Sequence, residues 1–124
     1  MQYSIVSRNL IFIIFTFFVV AHMTQAYNVS FIAGDCYGIW HTYVTDCNGK
    51  VIHDVGFKPC DFIGHFFKWY DAPSVFCVHA YPQLFPKRNR YISYTNVNAC
   101  LEVDGNEFDW SLTDIPVSGV DCEF

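Results

Sequence analysis

Three histidines recur at a fixed interval in this chain, and histidine is the commonest metal-ligating side chain in proteins. They are His41, His53 and His65, spaced by twelve residues. Because this interval places the three side chains on separate predicted strands, it fixes no shared geometry, and we expect no metal site.

The charged residues of the second half form two local groups. The acidic group surrounds a predicted hairpin, and its spacing differs from that of a calcium-binding loop. We therefore expect a solvated acidic edge, formed by Asp104, Glu107, Asp109 and Asp114. The basic group, Lys87-Arg88-Asn89-Arg90, fits a processing site, an anion or lipid headgroup contact, or a charged loop tip, and the loop tip is the default for charges beside exposed strands.

Motifs of catalysis are missing from the sequence. It contains no Gly-x-Ser-x-Gly, no paired-histidine metalloprotease helix and no glycine-rich phosphate loop. We therefore expect a protein that binds rather than an enzyme, and we expect no cofactor.

Residues 1–26 have the pattern of a secretory signal peptide. A polar start with one charge, Arg8, precedes an apolar run from Leu10 to Ala21. Thr24 and Ala26 then provide the small residues that signal peptidase accepts, which predicts cleavage after Ala26. As a helix the run would span about 18 Å, well short of the roughly 30 Å hydrocarbon core of a bilayer. We expect export without stable membrane insertion, and a single secreted domain over residues 27–124.

The exported domain is acidic. The whole chain has 7 Lys+Arg and 12 Asp+Glu, and loss of Arg8 with the signal leaves six basic against twelve acidic residues. This balance argues against nucleic acid and anionic membranes as primary partners, because both select for positive charge. The expected partner is a small apolar ligand or another protein, and we expect a monomer.

The exported part contains all six cysteines. An even number in a short secreted chain predicts three disulfides, whereas zinc ligands usually come as closely spaced pairs. Fifteen pairings are formally open. Nesting of the predicted strand–turn units favours Cys36–Cys122, Cys47–Cys60 and Cys77–Cys100.

Short β-rich runs separated by turn residues are typical of a sandwich or a barrel. The predicted strands cover 38–45, 50–55, 62–70, 74–80, 90–96, 100–103, 107–113 and 117–124, with tight-hairpin signals at Asn48-Gly49 and Asp104-Gly105. In 62–70, alternation places His65, Phe67 and Trp69 on one face. We expect an all-β antiparallel domain, a sandwich or a barrel, stabilised by three disulfides.

The cysteine contexts resemble those of the ML lipid-recognition domains, the family of the Niemann–Pick type C sterol carriers and the mite group 2 allergens. The resemblance rests on Asp35-Cys36, Val44-Thr45-Asp46-Cys47-Asn48-Gly49, Pro59-Cys60 followed by Gly64-x-Phe66, Phe76-Cys77, Tyr91-Ile92-Ser93-Tyr94-Thr95, and Trp110-x-Leu112-x-Asp114 followed by Gly119 and Cys122. It implies a small antiparallel β-sandwich of the immunoglobulin-like kind, whose sheets separate to admit a sterol or a fatty acyl chain.

Nineteen aromatic residues follow the predicted cleavage site, more than a core of this size needs, so some are expected to contact a ligand or a partner. The candidate lining of a ligand site is Trp40, Phe67, Trp69, Phe76, Tyr94 and Trp110. Two hypotheses remain open: a carrier of a small apolar ligand, or an interaction module such as a pathogen effector, toxin or immune modulator that acts through its surface. A filled core with rings exposed in one patch would favour the module.

Overall fold

The computed structural model describes residues 25–60 and 64–117 together with Cys122 and Phe124, and nearly all of this part is β-structure. Its elements are β1 (Tyr27–Cys36), β2 (Ile39–Thr45), β3 (Val51–Pro59), β4 (His65–Ala72), β5 (Val75–Pro82), a 3-10 helix (Pro86–Arg88), β6 (Arg90–Thr95), β7 (Ala99–Gly105) and β8 (Trp110–Asp114). Most of the predicted signal peptide and most of the predicted strand 117–124 lie outside the described residues.

The strands form two four-stranded sheets. Sheet I has the order β4-β1-β7-β8, and sheet II has the order β3-β2-β5-β6. Among the described strands, β1 and β7 pair in parallel and every other pairing is antiparallel. The predicted fold class, an all-β sandwich with three disulfides, is confirmed.

The buried and exposed faces of sheet II are explained by the alternation of side chains along its strands. In β2, Trp40, Thr42 and Val44 are fully buried, whereas His41 and Tyr43 between them are only half-buried. Successive side chains of a strand point to opposite faces, so one face of the sheet covers the core and the other meets solvent. The β2–β3 hairpin forms where Asn48-Gly49 predicts it, and Gly49 has the positive φ, 96°, that such turns require.

Strand β1 is missing from the sequence prediction, and it lies between β4 and β7 inside sheet I. Its inward residues, Val29, Phe31 and Ala33, do alternate. Ser30 and Ile32 between them are buried as well, and Ile32 belongs to a second apolar cluster with Cys100 and Cys122. A strand covered on both faces has no polar side to reveal its period.

The face assignment predicted for strand 62–70 is only partly right. Phe67 packs into the core, but Phe66, predicted on the opposite face, is also buried there. Both rings contact Phe31, with centroids 5.4 Å and 5.6 Å away, because the β1–β4 register shifts just after Phe31. A register shift of this kind redirects side chains that strict alternation would send outward.

All three predicted cysteine pairs are wrong. The disulfides join Cys36 to Cys60, Cys47 to Cys77 and Cys100 to Cys122. The nesting argument failed because pairing follows the order of strands across the sheets rather than along the chain. Thr45 is the register partner of Cys77, which brings the β2–β3 turn, with Cys47, beside β5. The backbone N–H of Cys60 donates to the carbonyl of Gly38, which brings Cys60 close to Cys36, two residues before Gly38.

Replacing Phe31 by Ala should lower the free energy of unfolding by about 3–5 kcal/mol, because its fully buried ring contacts two other rings. Denaturant unfolding of the oxidised protein measures this. Tyr70→Ala is the control, since Tyr70 is 52% exposed and its loss should cost no more than about 0.5 kcal/mol. Equal effects of the two substitutions would contradict the core described here.

Non-reducing peptide mapping should recover the three pairs named above and no free thiol. Each disulfide closes a loop of 22 to 30 residues. Chain-entropy arguments assign a loop of that length about 3–4 kcal/mol. Replacing Cys47 and Cys77 together by Ser should therefore lower the free energy of unfolding by that amount and leave the other two pairs intact. A scrambled map in the double variant would contradict independent pairing.

Candidate functional site

The six predicted lining residues lie in the interior but do not converge on one point. Trp40, Phe67, Phe76, Tyr94 and Trp110 are buried core residues, and Trp69 is partly buried against them. They form separate contacts: the rings of Trp40 and Trp110 are 6.2 Å apart, and Phe76 stacks on Tyr94 at 5.4 Å. These pairs fill space between the sheets with protein rings.

The edges of the sandwich are closed by side-chain contacts between the sheets. On the β3–β4 side, His53 stacks on Trp69 with centroids 4.5 Å apart, and Lys58 Nζ donates to the carbonyl of Phe66 at 2.9 Å. On the β6–β8 side, the Tyr94 hydroxyl donates to Asp114 Oδ1 at 2.7 Å. There burial, together with the hydrogen bond and negative charge of Asp114, raises the pKa of Tyr94, so the phenol stays protonated.

The three regularly spaced histidines are on different faces. His41 is on the outer face of sheet II, His53 points inward onto Trp69, and His65 pairs with Ile32 at the start of β4. Within the described residues, no three His, Cys, Asp or Glu side chains form a group that could hold a metal ion. Nor does this part of the chain include a helix long and apolar enough to span a bilayer.

The largest group of accessible rings lies on the outer face of sheet II. Register partners across four strands bring them together, and we call them the aromatic face: His41, Tyr43, Phe57, His79, Tyr81 and Tyr91. Tyr43 stacks on His79 at 4.7 Å, and Tyr91 follows at 5.1 Å from His79. The rings thus form one continuous cluster that ends in Phe57, 51% exposed, and Tyr91, 61% exposed.

Sequence reasoning missed the aromatic face. It weighted tryptophan and phenylalanine, whereas this face consists mainly of histidine and tyrosine. The available signal was the alternation of β2, where Trp40 and Val44 occupy one face and His41 and Tyr43 the other. That pattern marks His41 and Tyr43 as the solvent side once the apolar side is assigned to the core.

A hydrogen-bonded chain fixes one half of the aromatic face. Tyr81 and His41 Nδ1 are 2.5 Å apart, and His41 Nε2 is 2.6 Å from Asp54 Oδ1. Nε2–H donates to the carboxylate, and Nδ1 shares the second hydrogen bond with the Tyr81 hydroxyl.

Two groups in this chain of hydrogen bonds have shifted pKa values. Burial, with smaller contributions from Tyr43 and Asp54, raises the pKa of Tyr81, so its hydroxyl remains a donor. Partial burial of Asp54 alone would raise its pKa. The hydrogen bonds from His41 and Gly56, with smaller electrostatic contributions from His41 and His53, outweigh this, and the pKa of Asp54 is lowered. The carboxylate is therefore ionised at neutral pH.

A second chain fixes the other half. His79 Nδ1 donates to Asn89 Oδ1 at 3.0 Å, and the amide of Asn89 donates to the Tyr43 hydroxyl. On the far side of the ring, Thr45 Oγ1 lies 3.0 Å from His79 Nε2 and also accepts from the backbone N–H of Cys47. Both histidines of the face are thus held at both ring nitrogens, which fixes their orientation.

A surface cavity of about 520 Å³ adjoins this second half. It lies over the Cys47–Cys77 disulfide, and the rings of Tyr43, His79 and Tyr91 form part of its wall. None of the six predicted lining residues contributes to it. The accessible concave surface here is outside the sandwich.

Comparison with known proteins found no match. No family, no curated protein and no solved structure matches this chain.

Replacing His53 by Phe should reduce the acid sensitivity of the fold. Burial lowers the pKa of His53, and the nearby charge of Asp54 only partly opposes this. The unfolded chain therefore binds the proton more readily than the folded one, and stability falls as pH drops through the ordinary histidine range, around pH 6.5. Phe can retain the stack on Trp69 without titrating.

Thermal unfolding of both proteins between pH 7.5 and 5 tests this expectation. An unchanged pH slope in the His53 variant would contradict the role assigned to its burial.

Proposed function

We propose that the exported domain is a non-enzymatic binding module that contacts a partner protein through the aromatic face. The observation that carries this proposal is the continuous cluster of six rings on the outer side of sheet II, with its two ends more than half exposed. Contiguous exposed apolar surface on a soluble domain is typical of an interaction site.

The composition of the face supports a protein partner. Tyrosine and other aromatic residues are enriched in protein interfaces and among the residues that contribute most to affinity. The hydrogen bonds of His41 and His79 hold these rings before any partner arrives. Side chains that are already ordered lose less conformational entropy on association, which favours affinity.

The chemistry of the face supports binding over catalysis. Asp54, His41 and Tyr81 are arranged in the order of an acid, a base and a hydroxyl, which is the arrangement of a nucleophilic triad. The hydroxyl here is a phenol whose pKa is raised by burial. A nucleophile needs activation toward its anionic form, and this environment acts in the opposite direction.

Export supports an extracellular place of action. The N-terminal segment has the pattern of a signal peptide, and the fold contains three disulfides, which persist in oxidising compartments. Effectors, toxins and immune modulators are secreted proteins that act through their surfaces on partner proteins outside the cell that makes them.

Lipid carriage is the second candidate, and one observation favours it. The indole N–H groups of Trp40 and Trp110 are buried without an acceptor among the described residues. A buried donor left without a partner costs about 1–3 kcal/mol. The oxygen of a sterol or fatty acid between the sheets is an acceptor that such a donor lacks, in line with the ML resemblance.

Replacing Tyr91 by Ala should weaken partner binding at least about tenfold and leave stability nearly unchanged. Tyr37→Ala is a closely matched control, because Tyr37 is 62% exposed but lies outside the aromatic face. The measurement is quantitative cross-linking capture from extracts of the source organism and of the cells that it contacts. A protein captured by wild type and by the Tyr37 variant, but lost with the Tyr91 variant, supports the proposal.

Native mass spectrometry of the exported protein separates the two candidates. A lipid bound in stoichiometric amount, retained by the Tyr91 variant, would establish the carrier. Capture that is equal for all three proteins would overturn the binding module.

A further inference from the structure

The β3 end of the aromatic face combines a carboxylate with an accessible ring. His41 lies between them: its Nε2 is 2.6 Å from Asp54 Oδ1, and its ring centroid is 4.8 Å from that of Phe57. The side chain of Asp54 is 46% exposed, and Phe57 is 51% exposed. We infer that this end of the face binds the guanidinium group of an arginine side chain from the partner protein, an inference that rests on the proposed function.

The hydrogen bonds of Asp54 leave one oxygen for a ligand. His41 Nε2 and the backbone N–H of Gly56 both donate to Oδ1, the latter at 2.8 Å. The contacts recorded for Asp54 within the described part of the chain therefore use only one oxygen, and Oδ2 is available to accept from a guanidinium N–H. Hydrogen bonds between ionised groups are about twice as strong as neutral ones.

Phe57 provides the second contact. A cation over an aromatic face is attracted by the ring quadrupole, and the planar guanidinium also stacks on rings. Because His41 contacts both Phe57 and Asp54, a guanidinium lying against Phe57 is within reach of the carboxylate. The ammonium group of lysine is more strongly hydrated and lacks the planar shape, so arginine fits this pair of contacts better.

The charges at this site and on the whole domain also favour an arginine side chain. The register places no Lys or Arg side chain on the outer face among the described strands of sheet II, and Asp54 is its only carboxylate. Arg90 instead reaches the inner edge, where its guanidinium lies over the Trp110 ring. The exported domain carries six basic against twelve acidic residues. A partner with a basic segment would therefore be attracted both by the whole domain and by this site.

Titration of the exported domain with Nα-acetyl-arginine amide, followed by backbone NMR shifts, tests the inference. We expect saturable shifts centred on His41, Asp54 and Phe57. The lysine analogue should bind about threefold more weakly, and the neutral citrulline analogue should give no saturation. Shifts spread evenly over the acidic surface would overturn the inference, because they would indicate attraction by net charge alone.

Two pairs of variants sharpen the test. Asp54→Asn should weaken binding about five- to tenfold, whereas Asp71→Asn, an equal change of net charge at an exposed position on sheet I, should change it less than about twofold. Phe57→Leu should weaken binding about threefold, and Tyr70→Leu, at matched exposure, should not. Equal effects within either pair would overturn the inference.

Failure of the arginine inference can be distinguished from failure of the proposed binding module. If the Tyr91 variant loses the captured partner but arginine amide does not bind, only the arginine inference is wrong. If arginine amide binds at Asp54 but capture is equal for all proteins, the proposed function is wrong. If both hold, Asp54→Asn should also lose the captured partner, and Asp71→Asn should keep it.

Discussion

The pairing of β1 on both of its edges is the constraint on which the rest of the fold depends. It holds β4 on one side and β7 on the other, and without it sheet I would consist of two separate pieces. Its parallel register with β7 aligns Phe31 with Leu101, while its antiparallel register with β4 aligns Phe31 with Phe67. The Phe31 side chain therefore lies between β4 and β7, in contact with the rings of Phe66 and Phe67. The opposite side of the same strand is covered too, by the cluster that contains the Cys100–Cys122 disulfide.

Rings packed between the sheets leave the accessible rings of sheet II on its outer face. Rings from the two sheets contact one another inside, and contacts close the edges of the sandwich on both sides. The cluster that contains the Cys100–Cys122 disulfide covers part of the outer face of sheet I. The outer face of sheet II has rings that are fixed by hydrogen bonds and still accessible. The aromatic face and the core therefore share the same strands, with alternate residues assigned to each.

The sequence predicted the fold class because alternation and turn residues are local signals. The run from Trp40 to Val44 and the Asn48-Gly49 turn suffice to place β2, β3 and their hairpin. Burial on both faces concealed β1, since a doubly covered strand has no polar period. The cysteine pairs could not be predicted because they depend on which strands become neighbours, and Cys77 approaches Cys47 only after β5 pairs with β2. The candidate site was missed for a related reason. Along β2, Trp40 faces the core whereas His41 and Tyr43 face outward, and the size of a ring alone does not show which face is covered.

The basic segment after β5, Lys87-Arg88-Asn89-Arg90, is hydrogen-bonded to the β7–β8 hairpin and is therefore not a free charged loop tip. The guanidinium of Arg88 donates to the carbonyl of Phe108 at 2.7 Å, and that of Arg90 donates to the carbonyl of Trp110. The backbone between Pro86 and Arg88 is coiled in a 3-10 helix. Proteases that recognise paired basic residues need an extended substrate with free side chains. Here the chain would first have to leave the β7–β8 hairpin, so Lys87-Arg88 should persist uncut in the presence of such enzymes.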